Sequence, residues 1–283
     1  MESWLEDPGR FTDRCFREYL AYIHELTGIT IHPNRKSMVL GRIRRRLRAT
    51  GTPGFEEYLN LVRASEQERS VFIDCITTNE TCFFRTPRIW EHLERRFLPD
   101  WAARNPGRVF RSWSAAAASG EEAGSIGILC EEFRGRARGF DYRILGTDVS
   151  DEMVSRCRTG VYEGRSVEQF RSARAIQFKR HLHTSGSGWR ISEEIRGRMS
   201  FRWHHLFKEL PNGLHFDLIL LRNVLIYFSR ADQEKVVELA ASRLLPGGVL
   251  VIGESESLSH IRCSLRPVAP LFYVRDLRGS AER

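Results

Sequence analysis

The chain has 283 residues, 41% of them apolar and 28% charged, with a formal net charge of +8 at pH 7. That length suits one large or two modest domains with a sizeable core, and the balance is that of a globular rather than a disordered chain. No run reaches the roughly 18 consecutive apolar residues of a membrane helix, and the opening MESWLEDPGR lacks the basic stretch and apolar run of a secretory leader, so a cytoplasmic location without membrane insertion is expected.

The first 76 residues read as helices. FTDRCFREYLAYIHELTG sets Phe16, Leu20, Ile23 and Leu26 near helical spacing, with Gly28 as a stop. KSMVLGRIRRRLRATG places Leu40, Ile43 and Leu47 on one stripe and ends at Gly51. Arg42, Arg45 and Arg46 share another face, with Arg48 near it. Asn34 to Arg48 holds seven basic residues and no acidic one, which implies an acidic partner: nucleic acid, an anionic membrane or an acidic protein surface. GFEEYLNLVRAS and EQERSVFIDCIT continue as two short helices. Cys15, Cys75, Cys82, Cys130, Cys157 and Cys263 form no CxxC pair and no zinc spacing, so reduced thiols and no metal are expected.

TTNETCFFR, residues 77 to 85, fits neither a polar loop nor an apolar core. Beyond residue 107 strands alternate with helices: RVFRSWSA, then EEAGSIGILCEEFRG; FDYRILGTDVS, then DEMVSRCRTGVY; FDLILLRN, then SRADQEKVVELAASRLL closed by PGG; and finally VLVIGES and PLFYVRD. That order predicts an α/β fold with a doubly wound, mostly parallel sheet, preceded by a small all-α domain. The alternation lapses over 165–200, read as an insertion with some β structure. The predicted domains are 1–76, a linking segment and connecting helix over 77–106, and 107–283.

Ligands of such sheets bind beyond the carboxyl ends of the strands. After the first strand comes SAAAASGEEAGS, a small-residue turn without GxGxxG. Glu121 and Glu122 open its helix, which repels a pyrophosphate and suits an ammonium group. After the second comes Asp148, placed to accept hydrogen bonds from two ribose hydroxyls, or to cap a helix. After the third comes RNVLIYF, where Asn223 offers a donor and an acceptor and Tyr227 a phenol. Together these favour an adenosine ligand with a cationic amino-acid end and no phosphate, which S-adenosylmethionine matches.

TTNETCFFR, SAAAASGEE, ILGTDVSDEMVSRCRTGVY and LLRNVLIYFSRADQEKVV, in this order, resemble the chemoreceptor glutamate methyltransferases, the CheR family. The resemblance extends over nearly the whole chain. It implies a class I methyltransferase-like domain with a small β insertion behind a helical substrate-recognition domain. It also implies a reaction: methyl transfer from S-adenosyl-L-methionine to glutamates on the cytoplasmic helical domain of methyl-accepting chemoreceptors, by a monomer, with S-adenosyl-L-homocysteine released. Asn79, Thr81, Arg85, Glu121, Asp148, His205, Leu206, Asn223 and Val224 match cofactor contacts. Tyr227 and Asn223 match the reacting end, and Arg42, Arg45, Arg46 and Arg48 the receptor-facing basic surface. The family's Pro-Tyr after GEE is Ala123-Gly124 here, and its Asn-Leu pair is His205-Leu206. The insertion looks shorter than in members that dock on a receptor tail peptide. Two other readings remain open on sequence: a regulator that binds the cofactor without transfer, and a nucleic-acid methyltransferase, although no (D/N)PP(Y/F) tetrapeptide is present. The receptor, its modified glutamates, the pathway and the role of Cys82 are not legible.

Overall fold

A computed structural model describes residues 11–275, so the opening MESWLEDPGR lies outside the described residues. The chain divides into two compact units, Met1–Thr78 with Ser150–Glu152 and Tyr227–Ser229, and the remainder.

The first unit is a four-helix cluster: α1 (Asp13–Thr27), α2 (Lys36–Thr50), α3 (Phe55–Ala64) and α4 (Glu66–Ile76). Local chemistry sets its ends. Thr12 Oγ1 accepts the Cys15 N–H at 3.1 Å to start α1, and Gly28 and Gly51 end α1 and α2 in the left-handed region at φ 75° and 67°. The core joins Phe16, Tyr19 and Ile23 of α1 to Val39, Ile43 and Leu47 of α2, Tyr58 and Leu59 of α3 and Phe72 of α4. Val39, rather than the expected Leu40, completes the buried stripe of α2, and Leu40 packs at its margin. The two outlying segments join by hydrogen bonds: Ser150 Oγ donates to Asp74 Oδ1 at 2.5 Å, and Thr30 N–H to the Tyr227 carbonyl at 2.8 Å.

The second unit opens with TTNETCFFR from Asn79 onward and a helical stretch: α5 (Pro87–His92), a π-helical turn (Leu93–Phe97) and α6 (Leu98–Arg104). Next come β1 (Val109–Ser114), α7 (Glu121–Arg134), β2 (Asp141–Asp148), α8 (Asp151–Thr159), β3 (Val161–Tyr162), α9 (Arg165–Ala173) and α10 (Ala175–His181). The rest is β4 (Leu182–Ser185), β5 (Gly188–Ile191), α11 (Glu193–Arg196), β6 (Met199–Trp203), β7 (Phe216–Leu221), α12 (Arg230–Ala241), β8 (Leu244–Ile252), β9 (Leu265–Ala269) and β10 (Phe272–Arg275).

Seven strands form one sheet in the order β6-β2-β1-β7-β8-β10-β9, parallel through β8 and antiparallel at β10 and β9. Every residue of β7 is buried, as Phe216 and the apolar run from Leu218 to Leu221 require of a strand covered on both faces, and the one acid, Asp217, accepts the Arg111 N–H at 2.9 Å. Strand order reverses between β1 and β7, so the ligand-binding crevice of this fold belongs at their carboxyl ends.

The insertion holds a β4–β5 hairpin in a small antiparallel sheet, β3-β5-β4. Its neighbours differ from the reading above. Val161–Tyr162 leaves α8 as a strand, and Met199–Trp203 is the edge strand of the main sheet. PGG does not end α12, which stops at Ala241; the tripeptide lies inside β8, where Gly247 at φ 78° accompanies a register shift against β7.

Candidate active site

The turn after β1 continues the sheet on both sides. The Ala115 N–H donates to the Leu220 carbonyl of β7 and the Ala117 N–H to the Thr147 carbonyl of β2, each at 2.9 Å. The Ala118 N–H, at φ 46°, then donates to Asp148 Oδ2 at 2.8 Å, so the acid ending β2 is tied to the β1 turn. Gly120 has φ 99°, and a Cβ there would lie 2.9 Å from Tyr162 Oη and 3.0 Å from Cys157 Sγ. Only glycine meets both demands. It brings the chain directly into α7, whose first turn carries the two acids.

Those acids have different work. Glu122 accepts from Ser114 Oγ at 2.7 Å and from Arg222 Nη1 at 2.9 Å, an ion pair whose side chains are 11% and 2% exposed. It is a structural carboxylate that fastens the end of β7 to α7. Glu121 is buried and accepts from Ser119 Oγ at 2.6 Å, and burial raises its pKa above the ordinary carboxylate value. A cation beside Glu121 relieves that penalty.

TTNETCFFR is pinned against this turn. The Phe84 N–H donates to Ser125 Oγ at 2.9 Å, and Ser125 Oγ donates onward to the Glu121 carbonyl at 2.7 Å. Phe83 stacks on Phe170 at 5.0 Å and meets Tyr162 edge-on at 4.9 Å. Phe84 meets Trp90 at 5.5 Å and lies under the Arg174 guanidinium at 4.3 Å. Phe84 and Thr86 are left-handed, at φ 53° and 66°, a conformation costing about 1–2 kcal/mol per residue that the anchoring offsets. Asn79 and Thr81 are half-buried in irregular backbone, and the Arg85 side chain is exposed and donates to the Glu80 carbonyl at 3.2 Å. The Arg85 carbonyl accepts from Trp90 Nε1 and Arg222 Nη2, both at 2.8 Å. Gly124 leaves the room that Phe83 and Ile191 fill: a Cβ there would lie 2.9 Å and 2.7 Å from them.

At the end of β7, Asn223 is left-handed at φ 58°. Glu256 holds it there, taking the N–H groups of Asn223 at 2.9 Å, Leu225 at 2.8 Å and Gly253 at 2.6 Å. Val224 is half-buried beside it. After β6, the His204 N–H donates to the Asp148 carbonyl at 2.9 Å, His205 is buried with Nδ1 accepting the Phe207 N–H at 3.2 Å, and Leu206 is half-buried.

The second unit thus ties the segments carrying Asn79, Thr81, Arg85, Glu121, Asp148, His205, Leu206, Asn223 and Val224 to the carboxyl ends of β1, β2, β6 and β7. Sequence reasoning passed over Arg222, Ser125 and Glu256, which hold these segments in place. Glu256 carries a signal related to that of Asp148: Asp148 is the last residue of β2, and Glu256 follows shortly after the end of β8. Tyr227 belongs to the first unit and ends a 3₁₀ turn, Leu225–Tyr227.

Arg42, Arg45, Arg46 and Arg48 of α2 do not form one free basic face. Arg42 Nη1 donates to the Ile76 carbonyl, and Arg46 forms a two-pronged pair with Glu68 at 3.0 and 2.8 Å. Both fasten α2 to α4, while Arg45 and Arg48, with Arg44, are exposed. Helical spacing located the face, but the partners come from another helix.

The donor set fits S-adenosylmethionine. Two buried carboxylates stand at adjacent strand ends, one of them raised by burial, and the buried guanidinium nearby is already paired with Glu122. Cations and hydroxyls are favoured there over phosphates.

Comparison with known proteins agrees. Residues 15–77 match the all-alpha domain of the CheR methyltransferases and residues 79–269 their SAM binding domain. The chemotaxis protein methyltransferase Cher2 of Pseudomonas putida is 31% identical over 250 residues, covering 86% of this chain and 90% of its own. The chemotaxis protein methyltransferase of Escherichia coli is 32% identical, covering 88% and 86%. Chemotaxis protein methyltransferase 2 of Vibrio cholerae is 30% identical, covering 95% and 92%. With both domains matched in order and such relatives aligned along most of their length, this chain belongs to the CheR family of S-adenosylmethionine-dependent methyltransferases.

Proposed function

We propose that the protein methylates glutamate side chains on the cytoplasmic helical domain of bacterial chemoreceptors, producing γ-methyl esters and S-adenosylhomocysteine. The observation that carries this reading is the pair of buried carboxylates, Glu121 and Asp148, at neighbouring strand ends of a chain of this family. When bound, the cofactor supplies an electrophilic methyl on a sulfonium sulfur, which leaves with the bonding pair as the carboxylate oxygen forms the new bond.

The chain's own residues bind and orient. Asp148 accepts the ribose hydroxyls and Glu121 the ammonium. Asn79, Thr81 and Arg85 supply the polar wall, and Asn223, Val224, His205 and Leu206 the adenine side. A glutamate is already ionised near neutral pH, with an ordinary pKa of about 4.3, so no general base is needed. Catalysis then rests on alignment and exclusion of water, with Tyr227 and Asn223 orienting the incoming carboxylate. Exposed Arg45 and Arg48 draw the acidic receptor surface to the helical unit.

Incubation with methyl-labelled cofactor and receptor cytoplasmic fragments tests the reading. Base-labile label on the fragments is expected, with KM rising with salt. Cofactor binding without transfer, or label on DNA or RNA instead, overturns it. Tyr227→Phe is expected to lower kcat, and unchanged kinetics remove that role from the hydroxyl.

A further inference from the structure

Two consecutive backbone N–H groups of TTNETCFFR end on serines that lead to one residue. The Phe84 N–H donates to Ser125 Oγ, which donates to the Glu121 carbonyl at 2.7 Å. The Phe83 N–H donates to Ser166 Oγ at 3.3 Å. A serine hydroxyl that has accepted a bond still has its own proton to give. Burial raises the Glu121 pKa, and hydrogen bonds from Ser119 Oγ, its own N–H and Ser166 Oγ oppose that rise. Tyr162 also lies near this carboxylate, but its Oη has no hydrogen-bond partner among the described residues, so the side-chain donors to Glu121 are Ser119 and Ser166.

Ser119 belongs to the same turn as Glu121. Ser166 comes from the first turn of α9, the helix that opens the insertion. The residues that follow it fix that helix: Val167 and Phe170 are buried, and Phe170 packs on Phe83 and Phe84, each at 5.0 Å between centroids. A carboxylate that is to take an ammonium has to be ionised and held in one orientation. Hydrogen bonds to its charged form supply both.

We infer that Ser166 is a positioning residue for the amino-acid end of the methyl donor, so that the insertion, through α9, completes the ammonium site. The inference rests on the reading of Glu121 as the ammonium acceptor. Loss of the hydroxyl removes one donor from the Glu121 carboxylate and the acceptor from the Phe83 N–H. Asp148 and Asn223, at the ends of β2 and β7, are held by other groups and keep their places.

Calorimetry of the full chain with S-adenosylhomocysteine and with 5′-methylthioadenosine, which keeps the adenine, ribose and sulfur but lacks the amino-acid end, tests the assignment. Ser166→Ala is expected to raise the S-adenosylhomocysteine Kd about tenfold, the effect of losing one charge-assisted hydrogen bond, and to leave the 5′-methylthioadenosine Kd unchanged. Ser166→Thr, which keeps the hydroxyl, is expected to bind both ligands as the wild type does. Glu121→Gln tests the underlying reading separately, and is expected to weaken S-adenosylhomocysteine more than Ser166→Ala does while sparing 5′-methylthioadenosine. Full S-adenosylhomocysteine affinity in Ser166→Ala, alongside its loss in Glu121→Gln, overturns the role of Ser166 alone. Equal losses for both ligands, or no recovery in Ser166→Thr, also overturn it, since a merely structural serine behaves so. Glu121→Gln binding S-adenosylhomocysteine as tightly as the wild type overturns the ammonium reading and the inference with it.

Discussion

Glu256→Gln is the perturbation that bears most directly on how the site is held. The carboxylate takes three backbone N–H groups, two on Oε2 from Asn223 and Gly253 and one on Oε1 from Leu225. Glutamine keeps the size but has one acceptor oxygen. Whichever way the amide turns, its NH₂ faces at least one of those donors, and the surviving bonds lose their charge assistance. With hydrogen bonds to charged groups contributing about 1.5–3 kcal/mol each, the variant should lose about 2–4 kcal/mol. Asn223, released from φ 58°, relaxes toward commoner backbone, and the turn after β7 loses its shape. Urea denaturation should report the lost stability, and calorimetry an S-adenosylhomocysteine Kd raised about tenfold or more, equivalent to about 1.4 kcal/mol. Gly253→Ala approaches the same clamp differently, since its Cβ would lie 2.7 Å from Glu256 Oε2 and 2.8 Å from Asn223 Nδ2. Unchanged stability and affinity in both variants would refute the clamp.

Arg222→Ala leaves Glu122 buried without its cation, so urea denaturation should show a loss of about 3–5 kcal/mol. Arg45→Ala with Arg48→Ala should raise the KM for receptor fragments at unchanged Tm, whereas Arg46→Ala should lower stability by about 1–2 kcal/mol through the lost Glu68 pair. Burial beside Trp113, then the neighbouring His205, lowers the His204 pKa from 6.5 to about 4. The unfolded chain therefore binds more protons than the native one between those values, and stability is full above pH 6.5 and lost as pH falls toward 4. Over that window the loss reaches at most roughly 3 kcal/mol, and His204→Asn should flatten the slope of unfolding free energy against pH.

Much of the fold is legible because one local cause sets each element. Gly28 and Gly51 stop helices where a left-handed residue is required, and FDLILL is apolar at every position but Asp217 because both of its faces are covered. β6 escaped notice because MSFRW is an edge strand with most of its residues partly or fully exposed, and carries no continuous apolar run. PGG reads as punctuation, yet the pairing of β8 with β7 absorbs it within a strand. At the site, acids at or shortly past strand ends are visible from the chain alone. The groups that hold them are not, because Arg222, Ser125 and Glu256 act on partners 100, 41 and 33 residues away. The mixed composition of TTNETCFFR has its explanation in the same place: Phe83 and Phe84 bury their rings while their N–H groups bond to Ser166 and Ser125, and the polar residues remain along the irregular backbone.

The central claim is methyl transfer to receptor glutamates, and tandem mass spectrometry of chemoreceptor cytoplasmic fragments incubated with this protein and S-adenosylmethionine tests it most directly. The account predicts methyl esters on glutamate side chains, removed by mild alkali and absent when Asp148→Ala replaces the wild-type protein. Fragments left unmodified by a protein that binds S-adenosylhomocysteine would contradict it.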